Sequence, residues 1–246
     1  MDLYGLIGNP VSHSLSERYF TVKFMLADID ARFERYLLGG IEELPGLIRR
    51  QPALRGLSVT SPFKTAVISF CDELDETAAT IGAVNTLKIT RKGERVHIKG
   101  FNTDVDGFAA AILPLLGADK PSAMVLGSGG AARAVAFALH KLELICRVVS
   151  RTAGKGKITY DDLRPEIIRS SRLIINATPL GMGSHAGMLP DIPYEHIGHR
   201  HLLFDLIYNP PETPFLQEGK RRGALTGNGF VMLQAQAEKA WEIWQA

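Results

Sequence analysis

Short apolar runs recur along the chain, separated by turn-forming residues and by stretches of helical periodicity. Runs at 3–8, 32–38 and 56–60 predict strands, the first two ended by Asn9-Pro10 and Gly39-Gly40. A helix is predicted after the first run. Ser14 or Ser16 could cap it, and Tyr19, Phe20, Val22, Phe24 and Leu26 form its apolar face. Helical segments are also expected over 41–50, 65–70 and 74–81. Alternation over 84–90 and 95–99 around Lys92-Gly93 predicts a hairpin.

From residue 101 strands and helices alternate. A helix runs from Asp104 to about residue 116, and an apolar strand begins near Met124. A glycine cluster, an Ala-rich helix and a strand ending near Ser150 follow. Further strands are expected over 157–160, 172–176, 201–207 and from Leu225, with helices over 162–169, 214–222 and 229–244. This order requires a parallel, doubly wound sheet. The expected fold class is therefore α/β. The first ~100 residues form an α/β unit that carries an antiparallel hairpin. The terminal helix has Ala237, Ala240, Trp241, Ile243 and Trp244 on its core face.

At 246 residues there is room for one large domain or two small ones. Lys and Arg number 28 against 26 acids, so charge gives no case for nucleic acid or an anionic membrane as a partner. Cys71 and Cys146 sit in apolar segments far apart, which favours buried thiols over a bridge and fits a reducing, cytoplasmic setting. The N-terminal MDLYGLIGNP carries Asp2 and turns after eight residues, unlike a signal peptide. No apolar run approaches the ~18 residues of a membrane span. His196, His199 and His201 follow Glu195, but their spacing matches no zinc pattern, so a surface loop is expected.

The stretch from Met124 to Arg151 carries the clearest chemistry. Gly127, Gly129 and Ala132 fit G-x-G-x-x-G/A between a predicted strand and a predicted helix. Gly127 permits the tight turn, Gly129 the close approach of a pyrophosphate, and Ala132 the packing of helix on strand. The loop 127–131, comprising Gly127, Ser128, Gly129, Gly130 and Ala131, then offers free N–H groups at a helix start. An NAD site places an acid about 20 residues on, to hold the ribose 2′-hydroxyl. Here Ser150 stands there, followed by Arg151, Thr152 and Lys155, which suits the 2′-phosphate of NADP.

Three polar clusters mark the first half: Ser12-His13-Ser14-Leu15-Ser16, Ser58-Val59-Thr60-Ser61-Pro62-Phe63-Lys64, and Gly82-Ala83-Val84-Asn85-Thr86 with Asn102-Thr103-Asp104. Taken singly, they read as caps, turns and a solvated lysine. In order with GSGGAARA, SRT, NATPLGM, DLIYNP and the terminal QAEKAWEIW, they closely resemble the shikimate dehydrogenase family, from residue 5 to the last helix.

The resemblance implies two α/β domains with a cleft between them: an α/β substrate domain over 1–100, a Rossmann doubly wound domain over 101–227 that binds NADP, and a terminal helix, 228–246, that returns to the first. It implies NADP-linked, reversible hydride transfer between 3-dehydroshikimate and shikimate, with these small molecules as the partners of a monomer or homodimer. It assigns Ser14, Ser16 and Tyr208 to the substrate carboxylate, and Thr60, Asn85 and Gln236 to the ring hydroxyls. Lys64 matches the family's catalytic lysine and Asp104 its paired carboxylate. Thr178, Met182 and Gly229 match further cofactor contacts. Reduction of a ketone leaves an alkoxide that needs a proton donor within about 3 Å, a role a lysine can fill. The nicotinamide carries the redox chemistry, so no metal is implied. The chain departs from the family pattern at Glu17, Phe20-Thr21, Ser58, Ser150 and Val231. Two other readings are an NAD-linked quinate/shikimate dehydrogenase, against which Arg151 argues, and an inactive nucleotide-sensing module, against which Lys64 and Asp104 argue.

Overall fold

In the computed structural model, which describes every residue except 13 and 119, the chain divides into two units. His13, part of the serine-rich cluster, lies outside the described residues. One unit comprises Met1–Thr103 with Gln236–Ala246, the other Asp104–Ala235.

The first unit holds β1 (Asp2–Gly8), α1 (Ser16–Leu26), β2 (Ala31–Leu37), α2 (Leu44–Arg50), β3 (Leu54–Val59), β4 (Glu73–Leu74), α3 (Glu76–Ile81), β5 (Thr86–Lys92) and β6 (Arg95–Phe101). Among the described residues its strands form one mixed sheet in the order β2-β1-β3-β5-β6-β4. β1 is buried on both faces, which is why it reads as an unbroken apolar run. Leu3 and Ile7 enter a layer with Leu44, Leu57 and Leu87. Tyr4 and Leu6 enter the opposite layer with Phe20, Phe24, Phe33 and Trp244. Each such burial is worth roughly 1.5–3 kcal/mol. The Trp244 ring stacks on Tyr4 at 4.9 Å, and its Nε1 donates to the Leu87 carbonyl at 3.0 Å. Those contacts fix the last residues of the chain on the first sheet.

Several local expectations change. In α1 the buried residues are Ser16, Phe20 and Phe24, an i, i+4 row. Val22 and Leu26, expected on the apolar face, are 43% and 78% exposed, because two residues past a buried position the helix has turned to its far side. Neither serine caps α1. Leu15 holds the cap position, and Ser14 Oγ instead accepts the N–H of Ser16 at 3.2 Å. The segment 65–70 is a 3₁₀ helix, Ala66–Phe70, and 41–50 divides into a 3₁₀ turn, Ile41–Glu43, and α2. The helix expected over 74–81 is divided at Asp75. Leu74 pairs with Gly100 in β4, and the Asp75 carboxylate accepts from Thr77 and Ala78 N–H at 3.3 and 2.9 Å, starting α3.

The second unit holds α4 (Asp104–Leu116), β7 (Ala123–Leu126), α5 (Gly130–Lys141), β8 (Cys146–Ser150), β9 (Lys157–Thr159), α6 (Pro165–Ser170), β10 (Leu173–Asn176), β11 (Leu202–Asp205), α7 (Pro214–Arg221), β12 (Leu225–Asn228) and the start of α8 (Phe230–Gln245). Among the described residues its sheet is all parallel, in the order β12-β11-β10-β7-β8-β9. That is the doubly wound order whose direction reverses between β7 and β10, where ligands belong. The helix expected over 162–169 begins only at Pro165, whose fixed φ suits a first turn.

The unit boundaries fall at 103/104 and 235/236 rather than at 100/101 and 227/228. Thr103 belongs with the first unit through its bonds to Asn85, and Gly229 with the second through its N–H to Ile207 carbonyl, 3.1 Å. Cys71 and Cys146 are free and half-buried, and burial pushes both thiols up to about 11. His201 is buried rather than part of a surface loop. Its Nε2 lies 3.1 Å from the Ile168 carbonyl and its Nδ1 accepts the Gly198 N–H at 3.1 Å. Among the described residues no helix is long and apolar enough to cross a membrane, and no group of three His, Cys, Asp or Glu could hold a metal.

Candidate active site

Strand direction gathers the polar clusters of the first unit on one sheet edge. β1 and β3 are parallel, so the loops that follow them, carrying Ser14 and Ser16 and then Thr60 and Lys64, leave from the same edge. β5 is antiparallel to β3 and therefore begins there, at Asn85-Thr86, while β6 is antiparallel to β5 and ends there, before Asn102-Thr103. The Val59 N–H donates to the Asn85 carbonyl at 2.7 Å, and the Val84 N–H to the Lys64 carbonyl at 2.7 Å. Lys64 is thereby fixed beside the start of β5, with its side chain half-buried. Ser14 donates from its hydroxyl to Ser16 Oγ at 3.1 Å, so two hydroxyls stand together at the start of α1.

Asn85 is 3% exposed and sits at the centre of a hydrogen-bonded group. Its Oδ1 accepts the Thr103 N–H at 2.8 Å and the Thr86 hydroxyl at 3.0 Å, and its Nδ2 donates to Thr103 Oγ1 at 3.0 Å. Nδ2 also reaches Gln236 Oε1 at 3.5 Å, and so does the Thr103 hydroxyl. Gln234, two residues earlier on α8, is exposed. Asp104 opens α4 and is buried, and Tyr208, beyond β11, is half-buried.

Of the positions that depart from the family pattern, Glu17 and Phe20 make contacts of their own. Glu17 lies 2.6 Å from Arg35 Nε, and the Phe20 ring stacks on Phe33 at 4.7 Å. Ser58 is buried within β3, while Val231 is half exposed on the first turn of α8.

In the second unit the glycine loop lies between β7 and α5. Gly127 has φ +114°, and a Cβ there would stand 2.8 Å from the Ala177 carbonyl oxygen, so only glycine fits. A Cβ on Gly129 would meet nothing within 4 Å, leaving open space at the start of α5, where the N–H groups of Gly130 and Ala131 lie in the first turn. Ser128 is exposed, and Ala132 is buried at 1%. At the end of β8 the Ser150 hydroxyl is turned inward onto the Thr152 carbonyl, and no carboxylate occupies the position. Arg151, Thr152 and Lys155 are exposed beyond it. Open space at a helix N-terminus, no acid at the strand end and two cations nearby fit a phosphate-bearing dinucleotide with a 2′-phosphate.

The loops after β10 and β11 are joined by buried polar groups. Asn176 Oδ1 accepts the Thr178 N–H at 3.0 Å and its hydroxyl at 2.6 Å, and Asn176 Nδ2 donates to the Leu180 carbonyl at 3.1 Å. The same Nδ2 lies 3.1 Å from both carboxylate oxygens of Asp205. Asp205 also accepts the Ile207 N–H at 3.0 Å and the Thr213 hydroxyl at 2.6 Å. It is fully buried, and burial pushes its carboxyl up to about 6 against the opposing pull of these donors. Met182 is half-buried at the end of the first loop. Gly229 is pressed against the second, where a Cβ would stand 2.0 Å from the Leu206 carbonyl oxygen.

Sequence reasoning did not single out Asn176, Asp205 or Thr213. The spacing Asn176-Ala177-Thr178 is a side-chain turn signal, but nothing in the sequence pairs it with a residue 29 positions away.

A model of the shikimate dehydrogenase substrate binding domain matches residues 6–87. Over 98% of its length the chain is 35% identical to a shikimate dehydrogenase (NADP(+)) from Ignicoccus hospitalis, covering 92% of that protein. The solved shikimate 5-dehydrogenase of Thermus thermophilus, in complex with NADP(H) and shikimate, is similar with a TM-score of 0.85 and 33% identity, over 99% of this chain and 93% of the other. A quinate dehydrogenase from Corynebacterium glutamicum, in complex with NAD, has a TM-score of 0.85 at 26% identity, over 99% and 93%. Near-complete coverage at this identity, on a doubly wound sheet with its glycine loop at the switch point, leaves one assignment: the chain belongs to the shikimate dehydrogenase family.

Proposed function

We infer that this chain catalyses the NADP-dependent, reversible reduction of 3-dehydroshikimate to shikimate. The observation that carries the reading, beside the family relationship, is the set of side chains on one edge of the first sheet: two adjacent hydroxyls, a lysine, and a buried amide bonded to Gln236. Paired hydroxyls suit a carboxylate, and Ser14 and Ser16, with Tyr208, are assigned to it. Thr60, Asn85 and Gln236 are assigned to the ring hydroxyls. Amides and hydroxyls both donate and accept, which a polyol requires.

Lys64 is assigned the proton transfer, donating to the carbonyl oxygen as it becomes an alkoxide and accepting in reverse. Asp104 matches the carboxylate that the family pairs with this lysine. The loop 127–131, with Ser150, Arg151, Thr152, Lys155, Thr178, Met182 and Gly229, would hold NADP. When bound, NADP supplies or takes up the hydride. Arg151 and Lys155 would neutralise the 2′-phosphate, and Ser150 leaves nothing to repel it.

The quinate dehydrogenase in complex with NAD has the same fold, and the end of β8, which bears on the choice of cofactor, favours NADP. Assays with shikimate or quinate and with NADP or NAD, followed by the absorbance of the reduced nicotinamide, test this. Turnover of shikimate with NADP is expected to dominate, and a preference for quinate with NAD would overturn the assignment.

A further inference from the structure

The Asn176–Asp205–Thr213 group takes part in none of the steps above, yet it holds the two loops that carry Thr178, Met182 and Tyr208. We propose that Asp205 is a positioning residue of this enzyme. Its buried carboxylate binds the loop after β10 to the loop after β11, and so presets the groups of these loops, Thr178 and Met182, that are assigned to NADP. This rests on the function assigned above.

Three observations carry it. Every group that meets Asp205 is a donor: the Asn176 amide, the Ile207 N–H and the Thr213 hydroxyl. Only an ionised carboxylate accepts from all three at once, since an asparagine would set its own N–H₂ against one of them. Second, the bonds pass directly into the functional loops. Asn176 spans from Asp205 to Thr178 and to the Leu180 carbonyl, and Ile207 N–H is one residue before Tyr208. Third, the carboxylate is a poor device for stability alone. Its burial outweighs its hydrogen bonds, holding its affinity for a proton above the ordinary value. Well-packed apolar groups would fill such a site at least as well. A group that costs stability while fixing two loops is expected where loop geometry matters to binding.

The doubly wound fold gives a way to separate positioning from general damage. The adenosine half of the dinucleotide would engage the loop 127–131 and the end of β8, and the nicotinamide half would extend past the β10 and β11 loops. Calorimetric titration of Asp205→Asn with NADP and with 2′,5′-ADP distinguishes them. NADP affinity is expected to fall about tenfold or more, the scale of one charge-assisted hydrogen bond, with 2′,5′-ADP binding unchanged. Should Asp205→Asn not fold, Thr213→Val removes one donor and is expected to show the same pattern more weakly, and Thr213→Ser, which keeps the hydroxyl, to restore wild-type values. Equal losses for NADP and 2′,5′-ADP, or no loss for either, overturn the positioning role. A wild-type protein that binds NADP but does not turn over shikimate overturns the function instead.

Discussion

Replacing Asp205 by Asn also makes a thermodynamic prediction that needs no substrate. The carboxyl is raised from its ordinary 3.8 to about 6 in the folded protein. The folded state therefore binds this proton more tightly than the unfolded chain does. Its contribution to stability is fully present below the unfolded value and is lost as pH rises through about 6. A rise of that size corresponds to about 3 kcal/mol between the two limits. The amide introduced by Asp205→Asn does not titrate, so the difference between variant and wild type isolates this group. The mispaired amide adds an offset that does not vary with pH. Between about pH 4 and about pH 7, the variant should gain about 2–3 kcal/mol of stability relative to wild type, whatever that offset is. Amide hydrogen exchange in β10 and β11 reads the opening free energy of this unit directly, whereas Trp241 and Trp244 report on the other unit. A difference that stays flat to within about 0.5 kcal/mol over that range, or slopes the other way, would refute the argument that burial outweighs the three donors at Asp205.

Lys64→Ala should lower kcat by roughly 10²–10⁴-fold, the usual scale for a positioned acid–base group, with a much smaller change in shikimate KM. Near-normal kcat in steady-state assays removes Lys64 from proton transfer. Ser14→Ala with Ser16→Ala removes two donors to a carboxylate, each worth about 1.5–3 kcal/mol. Shikimate affinity by calorimetry should drop at least tenfold and NADP affinity stay the same, while unchanged shikimate affinity leaves the serines a purely local role. NADP should be preferred over NAD by at least about one order of magnitude in kcat/KM, a preference that Arg151→Ala largely abolishes by weakening NADP. Equal use of the two cofactors by the wild type refutes the reading of the β8 end.

The sequence by itself determined the strand pattern, the glycine loop and the β8 end, because these depend on local rules. A strand buried on both faces must be apolar throughout, as Leu3, Tyr4, Leu6 and Ile7 are. A turn that passes 2.8 Å from the Ala177 carbonyl oxygen at φ +114° requires glycine, and Gly127 supplies it. The missing acid at Ser150 can be read without coordinates. Local rules failed where neighbours in the sequence compete. Asp75 could be helix interior or cap, and Ser14 could cap α1 or, as it does, accept the N–H of Ser16. Val22 and Leu26 looked like core by composition, but only the packing of α1 on Phe33 and Trp244 decides which side faces inward.

Long-range pairing was decided by the tertiary structure alone. Antiparallel addition of β5 and β6 to a parallel core brings Asn85 and Thr103 to the edge where β1 and β3 end. Gln236 reaches Asn85 from 151 residues away. Asn176 and Asp205, which stand in the sequence at the heads of NATPLGM and DLIYNP with nothing to join them, become partners because β10 and β11 are adjacent and in register at those positions. A side-chain hydrogen bond needs its groups within about 3 Å, and at such separations in sequence only the completed sheet, with its register fixed, sets that distance.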